Sequence, residues 1–164
     1  MANLALPFLF LLIRQIVIVF SPTIRTLSFM GFCVFVASGL NFDVDSYLKS
    51  SPFKTRSIFR KGDIPAKDNP ERQSRPDSGF VVLVSSEEGQ CLSAQVKTAM
   101  KFLAKHEKEL DRLKLRGVDN MLLDFGVELG DEIQHSEYLP PELLVVMARF
   151  GMGLVFSAIR IPRG

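Results

Sequence analysis

Short apolar runs and helix-forming runs alternate along most of this chain, and that order constrains the fold more than any other sequence feature. Apolar runs rich in β-branched and aromatic residues are typical of buried strands, and they cover residues 32–37, 80–84, 121–129 and 154–161. Helix signals lie between them, at residues 43–50, 92–113 and 140–149. This order predicts an α+β fold: a four-stranded sheet with helices packed mainly on one face, as a two-layer sandwich.

The longest helix is predicted from apolar positions that recur at spacings of four and three, which places them on one helical face. The stripe consists of Leu92, Val96, Ala99, Leu103, His106, Leu110 and Leu113. Gly117 ends this pattern, and Gly151 ends the last helix, because glycine commonly follows a helical C-terminus. The helix signals therefore have defined ends.

Residues 1–29 form an apolar N-terminal segment that precedes a single predicted domain at residues 30–164. Residues 4–20 just reach the length needed to span a bilayer, although Arg14 lies near their centre. Three interpretations stay open: an upstream extension before a true start at Met30, a membrane anchor, or a cleaved signal. We expect a cytoplasmic protein. The alternative is the inner membrane with the domain on the cytoplasmic side, because Arg14 and Arg25 follow the positive-inside rule.

Positive charge is concentrated in the middle of the chain, although the net charge of the whole is only +2. Residues 49–75 contain eight basic and three acidic side chains, and prolines and glycines in residues 62–79 predict a solvated basic loop at about 54–79. We expect this loop to contact an acidic protein partner, and its candidate contact residues are Lys54, Arg56, Arg60 and Lys61. Phe53 and Phe59 are interleaved with them and would suit base stacking, but we do not expect nucleic acid as the partner.

Few residues suggest catalysis or metal binding. Asp131, Glu132, His135 and Glu137 gather several potential metal ligands, but their spacing matches no named metal motif and a solvated acidic loop is expected. His106 is expected to be a partly buried helix histidine. Cys33 lies in a buried strand and Cys91 near a helix start, where the helix dipole lowers a thiol pKa. We therefore expect no catalytic residue, no metal and no cofactor.

Two segments resemble a known bacterial family, the domain of unknown function 4279 family. The opening match comprises residues 40–48 (LNFDVDSYL), Pro52, Thr55 and residues 61–63 (KGD); the closing match is residues 139–159 (LPPELLVVMARFGMGLVFSAI). The tyrosine that usually closes the family pattern is missing, because Ala158 or Ile159 stands in its place. The resemblance covers residues 30–164 and implies a fold and a bacterial origin, but no activity.

We therefore expect an uncharacterised bacterial protein that acts as a non-catalytic protein-binding module of the interaction or immunity type. Recognition would use a sheet edge or the basic loop. A membrane-anchored accessory protein is the first alternative, through residues 1–29. A metal-dependent enzyme using the acidic loop around His135 is the second.

Overall fold

The computed structural model describes residues 31–64, 73–86, 91–129 and 137–160, and the α+β class is confirmed. These ranges contain five strands and four helices. In chain order they are β1 (Phe32–Gly39), α1 (Val44–Leu48), β2 (Thr55–Phe59), β3 (Ser78–Ser85), α2 (Leu92–Lys105), α3 (Glu107–Leu115), β4 (Asn120–Leu129), α4 (Pro141–Phe150) and β5 (Gly153–Arg160).

The strands form one mixed sheet in the order β2-β3-β1-β4-β5. β1 lies at its centre and pairs antiparallel with both β3 and β4. β2 pairs antiparallel with β3, whereas β5 runs parallel to β4. The parallel pair requires a crossover, and α4 supplies it. β2 and β5 are therefore the two edges of the described sheet.

The described sheet has five strands rather than the four predicted. The strand that the sequence did not predict is β2, which lies inside the segment expected to be a loop. A strand at this position gives little hydrophobic signal, because Arg56, Ser57 and Ile58 are all exposed and only Phe59 is buried. The strand forms by pairing with β3, with an irregular register between Thr55 and Ser57. Edge strands commonly show such irregularity and exposure.

The main core lies between the sheet and the helices, all of which pack on one face as predicted. Phe35, Phe80 and Phe125 point from the sheet into this core and are fully buried. Leu103 of α2 and Leu110 of α3 meet them from the helix layer. A smaller cluster on the second face consists of Val34, Val36, Phe59 and Val81. The sheet thus carries apolar side chains on both faces, with the described helices on only one.

The predicted long helix is divided into α2 and α3 by a single residue, His106. Its ψ angle of 15° departs from helical geometry, yet its carbonyl accepts bonds from the amides of Glu109 and Leu110 at 2.9 Å. The apolar stripe continues through this break, because Leu103, Leu110 and Leu113 are all buried. The periodicity was therefore a correct guide to the buried face, but not to helix continuity.

Two other helix ends have the chemistry that is typical of helix caps. Asp43 caps α1, its carboxylate accepting a bond from the Ser46 amide at 3.0 Å. Gly151 ends α4 in the left-handed conformation with φ of 62°, which glycine adopts without a steric penalty. The Gly151 amide donates to the Ala148 carbonyl at 2.9 Å. This turn directs the chain from α4 straight into β5.

The interpretations of residues 1–29, including the start at Met30, lie outside the described residues. Within the ranges that the structure describes, no helix combines the length and apolar character needed to cross a membrane.

Candidate functional site

The four predicted contact residues lie along one edge of the sheet, on β2 and on the turn that follows it. Arg56 is within β2, Lys54 directly precedes the strand, and Arg60 and Lys61 directly follow it. All four side chains are exposed. The four residues are called the basic edge below. The segment is thus an ordered sheet edge at residues 54–61 rather than a loop.

Arg60 is already engaged within the chain. Its Nε donates to Oδ2 of Asp45 at 2.8 Å and its second terminal nitrogen to Oδ1 at 2.6 Å, a two-point contact between β2 and α1. The hydrogen bond from Arg60 lowers the pKa of Asp45, and Asp45 in turn raises the pKa of Arg60. Both side chains are about half exposed, so water screens the pair and its contribution to stability is small.

The turn after β2 is fixed to Arg75, which precedes β3, and to Ser78, the first residue of β3. The Gly62 amide donates to the Arg75 carbonyl, and the Arg75 amide donates to the Asp63 backbone carbonyl, both at 2.9 Å. The Lys61 amide donates to the Ser78 hydroxyl at 3.0 Å. These bonds hold Lys61 at a defined place beside the strand.

Neither aromatic residue of this segment is available to stack a base. Phe53 is buried in the main core, with its ring centroid 5.6 Å from that of Phe80. Phe59 is buried on the second face, and the Arg75 guanidinium lies 4.1 Å above its ring centroid. Base stacking requires an accessible ring face. The basic edge therefore offers charge without aromatic platforms.

His106 is a packing residue at the junction of α2 and α3. Its ring lies 4.9 Å from Phe53 and 4.8 Å from Phe102, measured between centroids. Burial, followed by the charge of Lys105, lowers the pKa of His106. The sequence placed His106 on the apolar stripe, and the structure gives it the partly buried position expected there.

Both cysteines are free thiols with contrasting surroundings. Cys33 is fully buried, and burial raises the pKa of its thiol well above the ordinary range, with Asp124 adding to the effect. Cys91 is exposed directly before α2, with its sulfur 3.0 Å from the Ser93 hydroxyl. This hydrogen bond is the main cause of a lowered pKa for Cys91. Only Cys91 is placed to react with a reagent in solution.

Most of the proposed acidic metal cluster lies outside the described residues, namely Asp131, Glu132 and His135. Glu137 is described and exposed. In the described ranges, no group of three or more His, Cys, Asp or Glu side chains is arranged to hold a metal ion.

Sequence reasoning missed a buried carboxyl at the centre of the sheet. Asp124 lies opposite Val34 on the second face and is only 7% exposed. Ser157 of β5 donates to its Oδ2 at 2.9 Å. Burial raises the pKa of Asp124, because the charged form loses its hydration. The available signal was an acidic residue inside an apolar strand run.

A second missed feature is a polar link between α1 and α3. The Tyr47 hydroxyl donates to Oε1 of Glu109 at 2.5 Å. Arg112 lies 3.3 Å from Glu109 and donates to the Ser50 hydroxyl at 2.6 Å, with its guanidinium 5.1 Å from the Tyr47 ring centroid. Tyr47 and Glu109 are 62 positions apart in the sequence. No local pattern indicates such a contact.

Comparison of the chain with protein-family models, with curated proteins and with solved structures found no match. The resemblance to the domain of unknown function 4279 family therefore stays a prediction.

Proposed function

We propose that this chain is a non-catalytic protein-binding module, of the interaction or immunity type, that recognises an acidic protein surface through the basic edge. The observation that carries the proposal is the exposure of Lys54, Arg56, Arg60 and Lys61 along one edge strand and beside its ends. β2 itself is about 17 Å long. A row of positive charge of this length matches a row of carboxylates on a partner.

Electrostatic attraction at such an edge acts mainly on association. Complementary charges raise the rate at which the two proteins associate. Salt weakens this attraction, because it screens exposed charges that are more than a Debye length apart, about 10 Å at 0.1 M. The expected partner binding is therefore fast at low salt and sensitive to ionic strength. We propose a cytoplasmic location, or the cytoplasmic side of the inner membrane if residues 1–29 anchor the chain, because Arg14 and Arg25 follow the positive-inside rule.

Basic residues on an edge strand have a second use, since they prevent unwanted strand pairing between molecules. The test must therefore measure partner capture rather than solubility. The double variant Lys54→Glu with Lys61→Glu reverses two exposed charges and leaves the Arg60–Asp45 contact intact. The matched control is Lys97→Glu with Lys101→Glu, which makes the same charge change at exposed positions of α2.

Each protein is immobilised and exposed to an extract of the source cells, and the retained proteins are quantified by mass spectrometry. We expect acidic proteins that are retained by the wild type and by the α2 control, released by salt, and lost from the Lys54 and Lys61 variant. Equal retention by the two variants would refute the basic edge as the contact surface.

A further inference from the structure

The two edges of the sheet differ in every property that governs strand pairing. β2 has five residues, an irregular register and flanking basic residues. β5 has eight residues, and its register with β4 is continuous from Gly153 to Arg160. No charged residue lies between Gly153 and Ile159. Natural proteins protect long edge strands with charge, bulges or shortness. β5 is long and regular, and its one charged residue is Arg160 at its last position.

β5 also exposes apolar side chains on both faces of the sheet. Phe156 is 43% exposed on the helix-bearing face, next to the buried Phe125, with the ring centroids 6.1 Å apart. Val155 is 38% exposed on the second face, where it pairs with Asp124. An edge that is apolar above and below the strand suits burial against another protein.

α4 extends this apolar edge into the helix layer. Arg149 contacts Glu107 of α3, so that side of α4 faces the interior helices. Leu144 lies about 140° around the helix axis from Arg149, on the side away from α3. Leu144 is 44% exposed. The helix and the strand thus present apolar groups at the same end of the sheet.

We propose that β5 pairs antiparallel with β5 of a second copy of this chain, which would join two sheets into one of ten strands with α4 beside its counterpart. Each uncharged edge then meets an identical uncharged edge about a two-fold axis. Antiparallel pairing places the two Arg160 residues at opposite ends of the strand pair, whereas parallel pairing would bring them together. Pairing of β5 with β2 of another copy would instead create open-ended chains, and the charged, irregular β2 opposes it.

The size of the surface indicates a reversible dimer. An eight-residue strand is about 27 Å long, and the sheet and helix layers together are about 20 Å deep. The interface would bury roughly 500 Å² on each copy, or about 1,000 Å² in total, which is at the small end for specific interfaces. We therefore expect dissociation in the micromolar range. This dimer is independent of the basic edge and of any acidic partner.

Sedimentation velocity of the full chain in a reducing buffer tests the proposal, over about 1 to 200 µM. The wild type should pass from monomer to dimer across this range. Val155→Lys places a charge on the strand, and Leu144→Lys places one on the side of α4 away from α3, without changing the sheet. Each should weaken dimerisation by at least about tenfold, whereas the control Leu115→Lys, at a site 86% exposed on α3, should not.

Circular dichroism establishes that each variant is folded, and Leu144→Lys remains a valid test if Val155→Lys destabilises the sheet. A wild type that stays monomeric at the highest concentration would overturn the proposal. So would a dimer that folded Leu144→Lys and Val155→Lys variants both retain, because the contact would then lie elsewhere. Growth beyond the dimer would instead indicate pairing between unlike edges.

Discussion

The link between α1 and α3 predicts that the Tyr47 hydroxyl contributes measurably to stability. Tyr47→Phe removes the donor to Glu109 and retains the ring, which stacks on Phe80 with centroids 5.8 Å apart and planes 9° apart. The ring is buried, so phenylalanine fills the same space. The change therefore removes the hydroxyl group, with its bond to Glu109 and its weaker hydrogen bond with Ser51, and leaves the packing of the ring in place.

Hydrogen bonds to charged groups contribute about 1.5–3 kcal/mol. The lower end applies here, because Glu109 keeps its contact with Arg112 at 3.3 Å and has a side chain 13% exposed, so water can reach it in part. We expect Tyr47→Phe to lower the free energy of unfolding by about 1.5 kcal/mol. For a domain of this size, that corresponds to a fall in Tm of about 6 °C.

Urea denaturation of the full chain, followed by circular dichroism, measures this difference. The chain has only two tyrosines, and Tyr138, which is 75% exposed, provides the matched control. Tyr138→Phe should change stability by less than about 0.5 kcal/mol. The slope of unfolding against urea should be the same in all three proteins. Equal stabilities for the two variants would refute the contribution assigned to the Tyr47–Glu109 bond.

Three further predictions concern buried groups. Because burial raises the pKa of Asp124, the folded chain holds a proton that the unfolded chain has released, so stability should fall as pH rises above the ordinary value of 3.8. Urea titrations across pH should show a weaker fall for Asp124→Asn, and an unchanged slope would contradict this. Leu110→Ala, at a fully buried site, should cost about 2–5 kcal/mol in the same assay, and Leu115→Ala, at an exposed site, less than about 0.5. A thiol reagent should modify Cys91 in the native protein and Cys33 only after unfolding; equal rates would be contrary to the burial of Cys33.

The sequence predicted those elements whose own residues show a hydrophobic pattern. The strands at the centre of the sheet are continuous apolar runs, and the helices carry a regular apolar stripe, so both were correctly placed. β2 was missed because Arg56, Ser57 and Ile58 face solvent, and its strand conformation depends on pairing with β3. The break at His106 was missed because one non-helical residue leaves the apolar periodicity unchanged.

The candidate site was predictable only as far as its residues are neighbours in the sequence. Lys54, Arg56 and Lys61 stand close together along the chain, so their common surface could be inferred. The contact between Arg60 and Asp45 joins β2 to α1, and it depends on how the two elements pack. From the sequence alone, Arg60 is expected to be available to a partner, whereas in the structure it forms an ion pair with Asp45.

Zero-length carbodiimide crosslinking tests the central claim most directly, because it joins a lysine amine to a partner carboxylate only where the two are in contact. It is applied to the complex that the wild-type chain captures, and the linked peptides are identified by mass spectrometry. The basic edge predicts links from Lys54 and Lys61 to Asp or Glu residues of the partner, lost when salt dissociates the complex. Links confined to Lys97 and Lys101 of α2 would contradict the account.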